Sequence, residues 1–307
     1  MKALLFPGQG SQIVGMGLEF YNNFEIVKKI FSEADDRLNF KISKIILEGP
    51  DSDLKLTKFT QPAILTVSYS IFSVLKKEFG LKLDDFKYFA GHSLGEYSAL
   101  VCSESLNFTD GVYLLHERGK FMQESVPVGE GGMLAILGTE ASVVEGLISE
   151  IKNKEICEIA NDNANGQLIV SGNINSIKLL QSLIKKNNKK SILLPVSAPF
   201  HCSLMKPAAE KMKFKIDETS FKNPTIEIIN NVTALPISTN ENIKKLLIEQ
   251  IYSKVRWREI ILFMEKNKVK EYIEIGPGKV LTGLVKRIVK NNVSNSINSL
   301  EDIKKII

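Results

Sequence analysis

The sequence predicts an α/β protein, a mostly parallel sheet with helices on both faces that is interrupted by a smaller unit with a sheet of its own. Three observations carry this reading. Short apolar runs alternate with helical stretches over most of the 307 residues, the pattern of strands joined by crossover helices. The apolar run Phe86–Ala90 is followed at once by Gly91-His92-Ser93-Leu94-Gly95 and a helical segment, a strand-turn-helix of the G-x-S-x-G type. From Val128 the order becomes β-α-β-β-α-β, a ferredoxin-like split βαβ unit, after which the main pattern resumes.

Taken in order, Ala3–Phe6 is a buried strand ended by Pro7, followed by the loop Gly8-Gln9-Gly10-Ser11-Gln12 and a helix expected from Val14. Glycines behind a strand suggest a phosphate loop. Here Ile13 stands where the dinucleotide fingerprint needs a third glycine, and no Walker lysine follows, so the loop is better suited to bringing backbone N–H groups into a site. Glu25–Leu38 and Gln61–Phe79 have apolar residues at helical spacing, with Pro62 expected in the first turn of the second, where its missing N–H does no harm. Leu94–Ser103 reads as a helix, and Thr109 as the N-cap of another that runs to Ser125 and carries His116 and Arg118.

In the inserted unit the expected strands are Met133–Leu137, Ile156–Ala160, Gln167–Val170 and Ser191–Val196, and the helices Ala141–Ile151 and Ile174–Lys186. Its lysines at 185, 186, 189 and 190 read as a solvated face. The loop Ser197–Ser203 leads to a helix, Leu204–Asp217, then a strand, Thr225–Asn230, and helices Asn242–Tyr252 and Trp257–Lys266. A last strand, Tyr272–Ile275, closes on Gly276-Pro277-Gly278 before a helix from Val280. The division is therefore a core of residues 1–127 and 198–307 and a small subdomain of 128–197. Open α/β sheets bind ligands beyond the carboxyl ends of their strands, where the Gly8–Gly10 loop, the elbow and the Gly276–Gly278 turn all lie.

Composition narrows the classes. At 44% hydrophobic the chain can bury a proper core, and its net charge of +5 is mild and scattered. That suits an acidic protein partner or an anionic small substrate, and with a single Trp no nucleic acid is expected. Three cysteines without C-x-x-C spacing and only three histidines argue against a disulfide framework and a metal site. The apolar run at the N-terminus is too short for a signal peptide, and no stretch approaches the roughly 20 apolar residues that span a bilayer. A reducing, cytoplasmic setting without membrane contact is expected.

Ser93 is the candidate nucleophile. Side chains at 91 and 95 would clash as strand and helix close on each other, and the helix start behind Ser93 offers unpaired N–H groups to a developing oxyanion. A serine needs a base, and three histidines compete. His92 adjoins Ser93 and should point away from it; His116 sits on a helix; His201 lies in a loop after a strand, and elimination favours it. Cys202 beside it reads as a small buried residue. No Asp or Glu stands out as a third member, so either a carboxylate is hidden or a neutral acceptor orients the imidazole. Arg118 is either a surface residue or, because Gly119 permits close helix packing, a buried guanidinium that needs an anion such as a carboxylate.

Six segments together resemble the malonyl-CoA:acyl carrier protein transacylases. They are Phe6-Pro-Gly-Gln-Gly-Ser-Gln12, Thr60-Gln-Pro-Ala63, Gly91-His-Ser-Leu-Gly-Glu-Tyr97, Arg118-Gly-Lys-Phe-Met-Gln123, Ala198-Pro-Phe-His201 and Ile275-Gly-Pro-Gly-Lys-Val-Leu281. The likeness runs from residue 1 to about Ile288. It implies an α/β-hydrolase-like core with a ferredoxin-like insertion, and an acyltransferase that moves malonyl units from malonyl-CoA to the phosphopantetheine thiol of acyl carrier protein for fatty acid synthesis. It also implies Ser93 as nucleophile, His201 as base, the amides of Gln9 and Leu94 as oxyanion hole, and Arg118 on the malonyl carboxylate. Gln250 matches the residue whose main-chain carbonyl orients the histidine, His92 a supporting neighbour, and Phe200 a residue that goes with malonyl rather than methyl-branched units. No cofactor beyond these substrates is implied, and a monomer is expected. The rival readings are a serine hydrolase or thioesterase, a polyketide-pathway acyltransferase, and an inactive carrier-docking module.

Overall fold

Strand β1 (Lys2–Phe6) lies at the centre of the main sheet because both its faces are apolar, and Ala3, Leu4, Leu5 and Phe6 are completely buried. The computed structural model describes residues 1–151, 155–196, 198–237 and 239–304. The later strands are β2 (Phe86–Gly91), β3 (Gly131–Leu137), β4 (Cys157–Ala164), β5 (Gln167–Asn173), β6 (Lys190–Leu193), β7 (Glu227–Ile229), β8 (Pro236–Ile237), β9 (Glu271–Ile275) and β10 (Val293–Ile297). Six of them form the main sheet in the order β10-β9-β1-β2-β7-β8, parallel except for β8, which turns back on β7. The other four form a separate sheet, β4-β5-β3-β6, antiparallel throughout, as the βαββαβ order predicts.

Side chains alternate across β1 and sort into two cores. Leu4 and Phe6 pack with Phe89, with Ala63, Val67 and Ile71 of the long helix Thr57–Glu78, and with Leu100 of the elbow helix Gly95–Cys102. Ala3 and Leu5 face the opposite layer, against Trp257, Ile260 and Met264 of the helix Trp257–Lys266 and Val285 of the helix Val280–Ile288. The small sheet buries one face under the helices Ala141–Ser149 and Ile174–Lys186, where Leu134, Ile136, Leu168 and Val170 meet Val144, Ile177 and Leu180. From its other face Met133 and Ala160 join the main core.

β9, β1 and β2 are neighbours and run in parallel, so the three glycine loops that follow them lie side by side at one end of the sheet. That end also receives the small sheet. The β4 backbone joins the core through Asp162 N–H to Val255 O (3.0 Å) and Val255 N–H to Ala160 O (2.8 Å). Arg258 locks the join with a bidentate pair to the buried Asp162 carboxylate, its nitrogens 2.7–3.0 Å from both oxygens.

Several boundaries differ from the sequence reading. No helix starts at Val14: Gly15 and Gly17 take φ values of 85° and 77°, and the helix is the short Leu18–Asn23. The long helix begins at Thr57, so Pro62 lies inside it rather than in its first turn. The Lys58 carbonyl, four residues earlier, thereby loses its helical donor; it accepts instead from His116 Nδ1 at 2.9 Å. Thr109 is not an N-cap, because the helix is Phe108–Glu124 and extended Asn107 precedes it. β4 runs on to Ala164 through Asn161-Asp162-Asn163, a polar run whose bonds go to the core. β6 ends at Leu193, and Leu194 and Val196 leave the sheet to line a cavity; Ser197 lies outside the described residues. Helix Leu204–Asp217 is a 3-10 turn, Ser203–Met205, followed by Lys206–Glu218; Asn242–Tyr252 is Asn240–Gln250, capped by Thr239. The strand expected over Thr225–Asn230 is only β7, and β10 is an addition to the reading.

Candidate active site

At the carboxyl end of β2 the chain turns sharply into the elbow helix, and Ser93 at the apex has a φ of 54°. A non-glycine residue adopts that left-handed conformation only when its surroundings impose it. The imposition is visible. A Cβ on Gly91 would sit 1.8 Å from the Gly95 carbonyl carbon, and one on Gly95 would sit 2.2 Å from the Phe6 oxygen, so only glycine lets strand and helix approach this closely. The His92 N–H reaches back to Phe6 O at 3.0 Å, which fixes the elbow to β1. Asn231, just beyond β7, accepts from the Ser93 N–H at 2.7 Å and donates to Gly91 O at 2.7 Å.

The Ser93 hydroxyl lies 2.8 Å from His201 Nε2. His201 Nδ1 lies 2.9 Å from the Gln250 main-chain carbonyl. A carbonyl only accepts, so Nδ1 carries the ring proton and Nε2 presents its lone pair to the serine, the tautomer a general base requires. The acceptor behind the imidazole is therefore neutral, which is why no acidic partner stood out in the sequence. Burial first, and then the Arg118 charge, push the His201 pKa down to about 3, so the ring is neutral at neutral pH. Its backbone φ is 58°, making it a second left-handed non-glycine residue in the site.

Arg118 is only 1% exposed. A Cβ on Gly119 would lie 2.5 Å from Thr57 O, so this glycine lets the helix Phe108–Glu124 press against the long helix and carries the arginine inside. Its guanidinium donates to Gln61 Oε1 (2.8 Å), Gln250 Oε1 (2.9 Å) and the Ser93 hydroxyl (3.2 Å), all neutral acceptors. The anion in its vicinity is Glu96, buried beneath the elbow, which accepts from Gln250 Nε2 (2.8 Å) and the Asn231 N–H (2.9 Å). Burial raises the Glu96 pKa to about 7.

A cavity of about 200 Å³ opens over these groups. Gln9, His92, Ser93, Leu94, Arg118 and Phe200 all line it, together with His201. The eight residues singled out from the sequence thus come together, Gln250 just behind the imidazole. His92 turns its Nε2 to Asn163 Oδ1 at 2.8 Å and packs near Trp257, away from the Ser93 hydroxyl. His116 is engaged elsewhere, on the Lys58 carbonyl. Cys202 is fully buried, and its thiol is pushed up to about 12 by burial, so it is inert. Asn231, Glu96, Gln61 and Asn163 are the site residues sequence reasoning missed. Gln61 and Glu96 fall within segments that carry the resemblance, and Asn231 follows a strand at the ligand-binding end of the sheet, whereas nothing in the sequence marked Asn163.

An acyl transferase domain family model matches residues 3–304. The malonyl CoA-acyl carrier protein transacylase of Bacillus subtilis is 44% identical over 98% of this chain and 95% of its own length. The crystal structure of an acyl-carrier-protein-S-malonyltransferase from Bartonella henselae superposes with a TM-score of 0.97 at 41% identity, covering 99% of this chain and 98% of that one. The malonyl-transacylase solved with its type II PKS acyl-carrier protein (PlMCAT:AntF, holo) superposes with a TM-score of 0.95 at 37% identity, over 99% and 98% of the two chains.

Proposed function

The chain belongs to the malonyl CoA-acyl carrier protein transacylase family, and from that premise we propose that it transfers the malonyl group from malonyl-CoA to the phosphopantetheine thiol of an acyl carrier protein, through an ester on Ser93. The observation that carries the assignment to this chain is the buried Arg118 guanidinium, 3.2 Å from the Ser93 hydroxyl and without an ionic hydrogen-bond partner among the described residues. An acyl group ending in a carboxylate supplies that partner. A planar bidentate pair would also fix the thioester carbonyl over the serine.

His201 Nε2 takes the Ser93 proton as Oγ attacks the thioester carbon. The C–S bond then breaks, and the CoA sulfur leaves with that proton. In the second half the pantetheine thiol gives its proton to His201, its sulfur attacks the ester, and Ser93 recovers its hydroxyl. In both halves the amides of Gln9 and Leu94 hold the oxyanion. The Gln250 carbonyl keeps the imidazole in its working tautomer, and His92, held by Asn163, supports the loop beside it. Phe200, 8% exposed in the cavity wall, fills the space that a methyl branch would need.

The division into a catalytic core of 1–127 with 198–307 and a small subdomain of 128–197 belongs to the same proposal, supported by the two separate sheets. So do service to fatty acid biosynthesis and a cytoplasmic setting; among the described residues no helix is long and apolar enough to cross a membrane. Intact-mass measurement after adding malonyl-CoA tests the central claim. Ser93→Ala is expected to remain unmodified while the native chain gains one malonyl group. A Ser93→Ala chain that still accumulates the acyl group overturns it. A hydrolase on the same elbow would release CoA continuously without carrier, whereas the transferase stops after one equivalent.

A further inference from the structure

The join between the small sheet and the core reaches the base as well as the elbow. Two irregularities in β4, between Ile159 and Asn161 and between Asp162 and Ala164, leave Ala160 and Asn163 unpaired with β5. Bulges of this kind re-aim a strand's groups. Here both extra residues turn to the core, Ala160 to the Val255 N–H and Asn163 to His92. Ahead of them on the same strand, Glu158 reaches the segment that carries His201. Its carboxylate accepts from the Ser203 N–H at 2.8 Å and from the Ser203 hydroxyl at 2.6 Å, one oxygen for each.

That segment needs an anchor. His201 has a φ of 58° and precedes extended Cys202, with regular structure resuming only at the turn Ser203–Met205. The ring is held at both nitrogens, by Ser93 and by Gln250, and the strained backbone that carries it is steadied through its neighbours. The Phe200 N–H bonds Ala198 O at 3.2 Å, the Cys202 thiol donates to Pro199 O at 3.1 Å, the Cys202 carbonyl accepts from the Met205 N–H at 2.9 Å, and Ser203 is doubly bonded to Glu158. Of these anchors the one at Ser203 has the ionic acceptor.

We propose that Glu158 is a positioning residue of the transfer reaction: through Ser203 it holds the His201 backbone in its left-handed conformation and so keeps Nε2 in reach of the Ser93 hydroxyl. The inference rests on His201 being the base. It makes the small sheet part of the catalytic machinery, because the carboxylate that steadies a core loop is carried by β4. The loss should fall on proton transfer and leave malonyl-CoA binding alone, since Glu158 does not line the cavity. It should also fall equally on malonyl and acetyl groups, because the serine must be deprotonated for either.

The test uses the full chain and measures single-turnover acylation of Ser93, KM for malonyl-CoA and thermal midpoint for Glu158→Ala, Glu158→Gln, Ser203→Ala and His201→Ala. Glu158→Ala is expected to slow acylation by roughly tenfold or more with KM within about twofold. Glu158→Gln should recover most of the rate, because an amide offers its oxygen to the N–H and its own N–H to the hydroxyl. Ser203→Ala, which keeps one of the two bonds, should lose less, and adding it to Glu158→Ala should cost nothing further. An acylation rate for Glu158→Ala equal to that of the native chain overturns the proposal, as does a loss that glutamine does not recover. Should Glu158→Ala fail to fold, an unchanged rate in Ser203→Ala overturns it. His201→Ala separates the two claims, because if that variant still acylates at the native rate, the fault lies with the base assignment.

Discussion

Arg118 and His201 are coupled at the residue scale, and the coupling can be measured. Truncating one partner of a buried, hydrogen-bonded charge pair costs about 2–5 kcal/mol. Arg118→Ala should therefore lower kcat/KM for malonyl-CoA by roughly a hundredfold or more while acetyl transfer changes little; equal losses for the two would show that Arg118 does not read the carboxylate. The same arginine, after burial, holds the His201 pKa down to about 3. Because kcat/KM reports the free enzyme, its acid limb should lie well below pH 5, where an ordinary histidine would already be protonated. In Arg118→Ala the limb for acetyl-CoA should move up in pH. Phe200→Ala should ease entry of methyl-branched acyl groups by about 1–3 kcal/mol relative to malonyl, read as the ratio of the two kcat/KM values. Ser93 was legible as a candidate from the elbow and His201 by elimination, whereas Arg118 stayed between a surface and a buried reading until the resemblance singled it out. The roles of Glu96 and Asn231 were not legible, since a buried carboxylate and an orienting amide look like any others until the chain is folded around them.

At the scale of elements, the fit between the long helix and the helix Phe108–Glu124 decides where the arginine goes. Gly119 sets their approach, and Pro62 and His116 complete it by exchanging a helical bond for an interhelical one at the Lys58 carbonyl. His116→Ala leaves that part-buried acceptor without a side-chain donor, at a cost of about 1 kcal/mol. Pro62→Ala restores the helical N–H, so His116→Ala should cost clearly less in that background; equal costs in a double-mutant cycle of urea midpoints would refute the exchange. This is also where sequence reading fell shortest. Helical spacing located the long helix but not its start, because the proline expected in a first turn is accommodated by a histidine more than fifty positions away. The polar run Asn161-Asp162-Asn163 misled in the same way. A strand whose side chains satisfy another part of the molecule carries no two-residue alternation to read.

Across the whole molecule, the buried Glu96 ties folding to pH. Its pKa lies near 7 folded against about 4.5 when exposed, so the folded state binds the proton more tightly. The resulting stabilisation is complete below about pH 4.5 and is lost as pH rises through about 7, because above that the carboxylate must be buried charged. Glu96→Gln removes the titration, so its stability relative to the native chain should improve from pH 5 to pH 8; a constant difference across that range would refute the assignment. The mild net charge of +5 belongs at this scale too. It should make transfer to an acidic carrier fall with added salt while acylation by malonyl-CoA responds less. Fold class and the inserted unit were legible at this level, because alternation of apolar runs survives errors at every boundary.

The order of the strands has a consequence for how the protein comes into being. β1 is made before both of its neighbours, β2 and β9, and the whole inserted unit is made before β9. The serine is translated 108 residues before its histidine and 157 before Gln250. Over the first of those intervals the nascent chain carries the proposed nucleophile without its proposed base. The elbow can form early, but nothing completes it until the carboxyl-terminal third arrives and closes the sheet on its first strand. A ribosome stalled before that point holds an inert polypeptide.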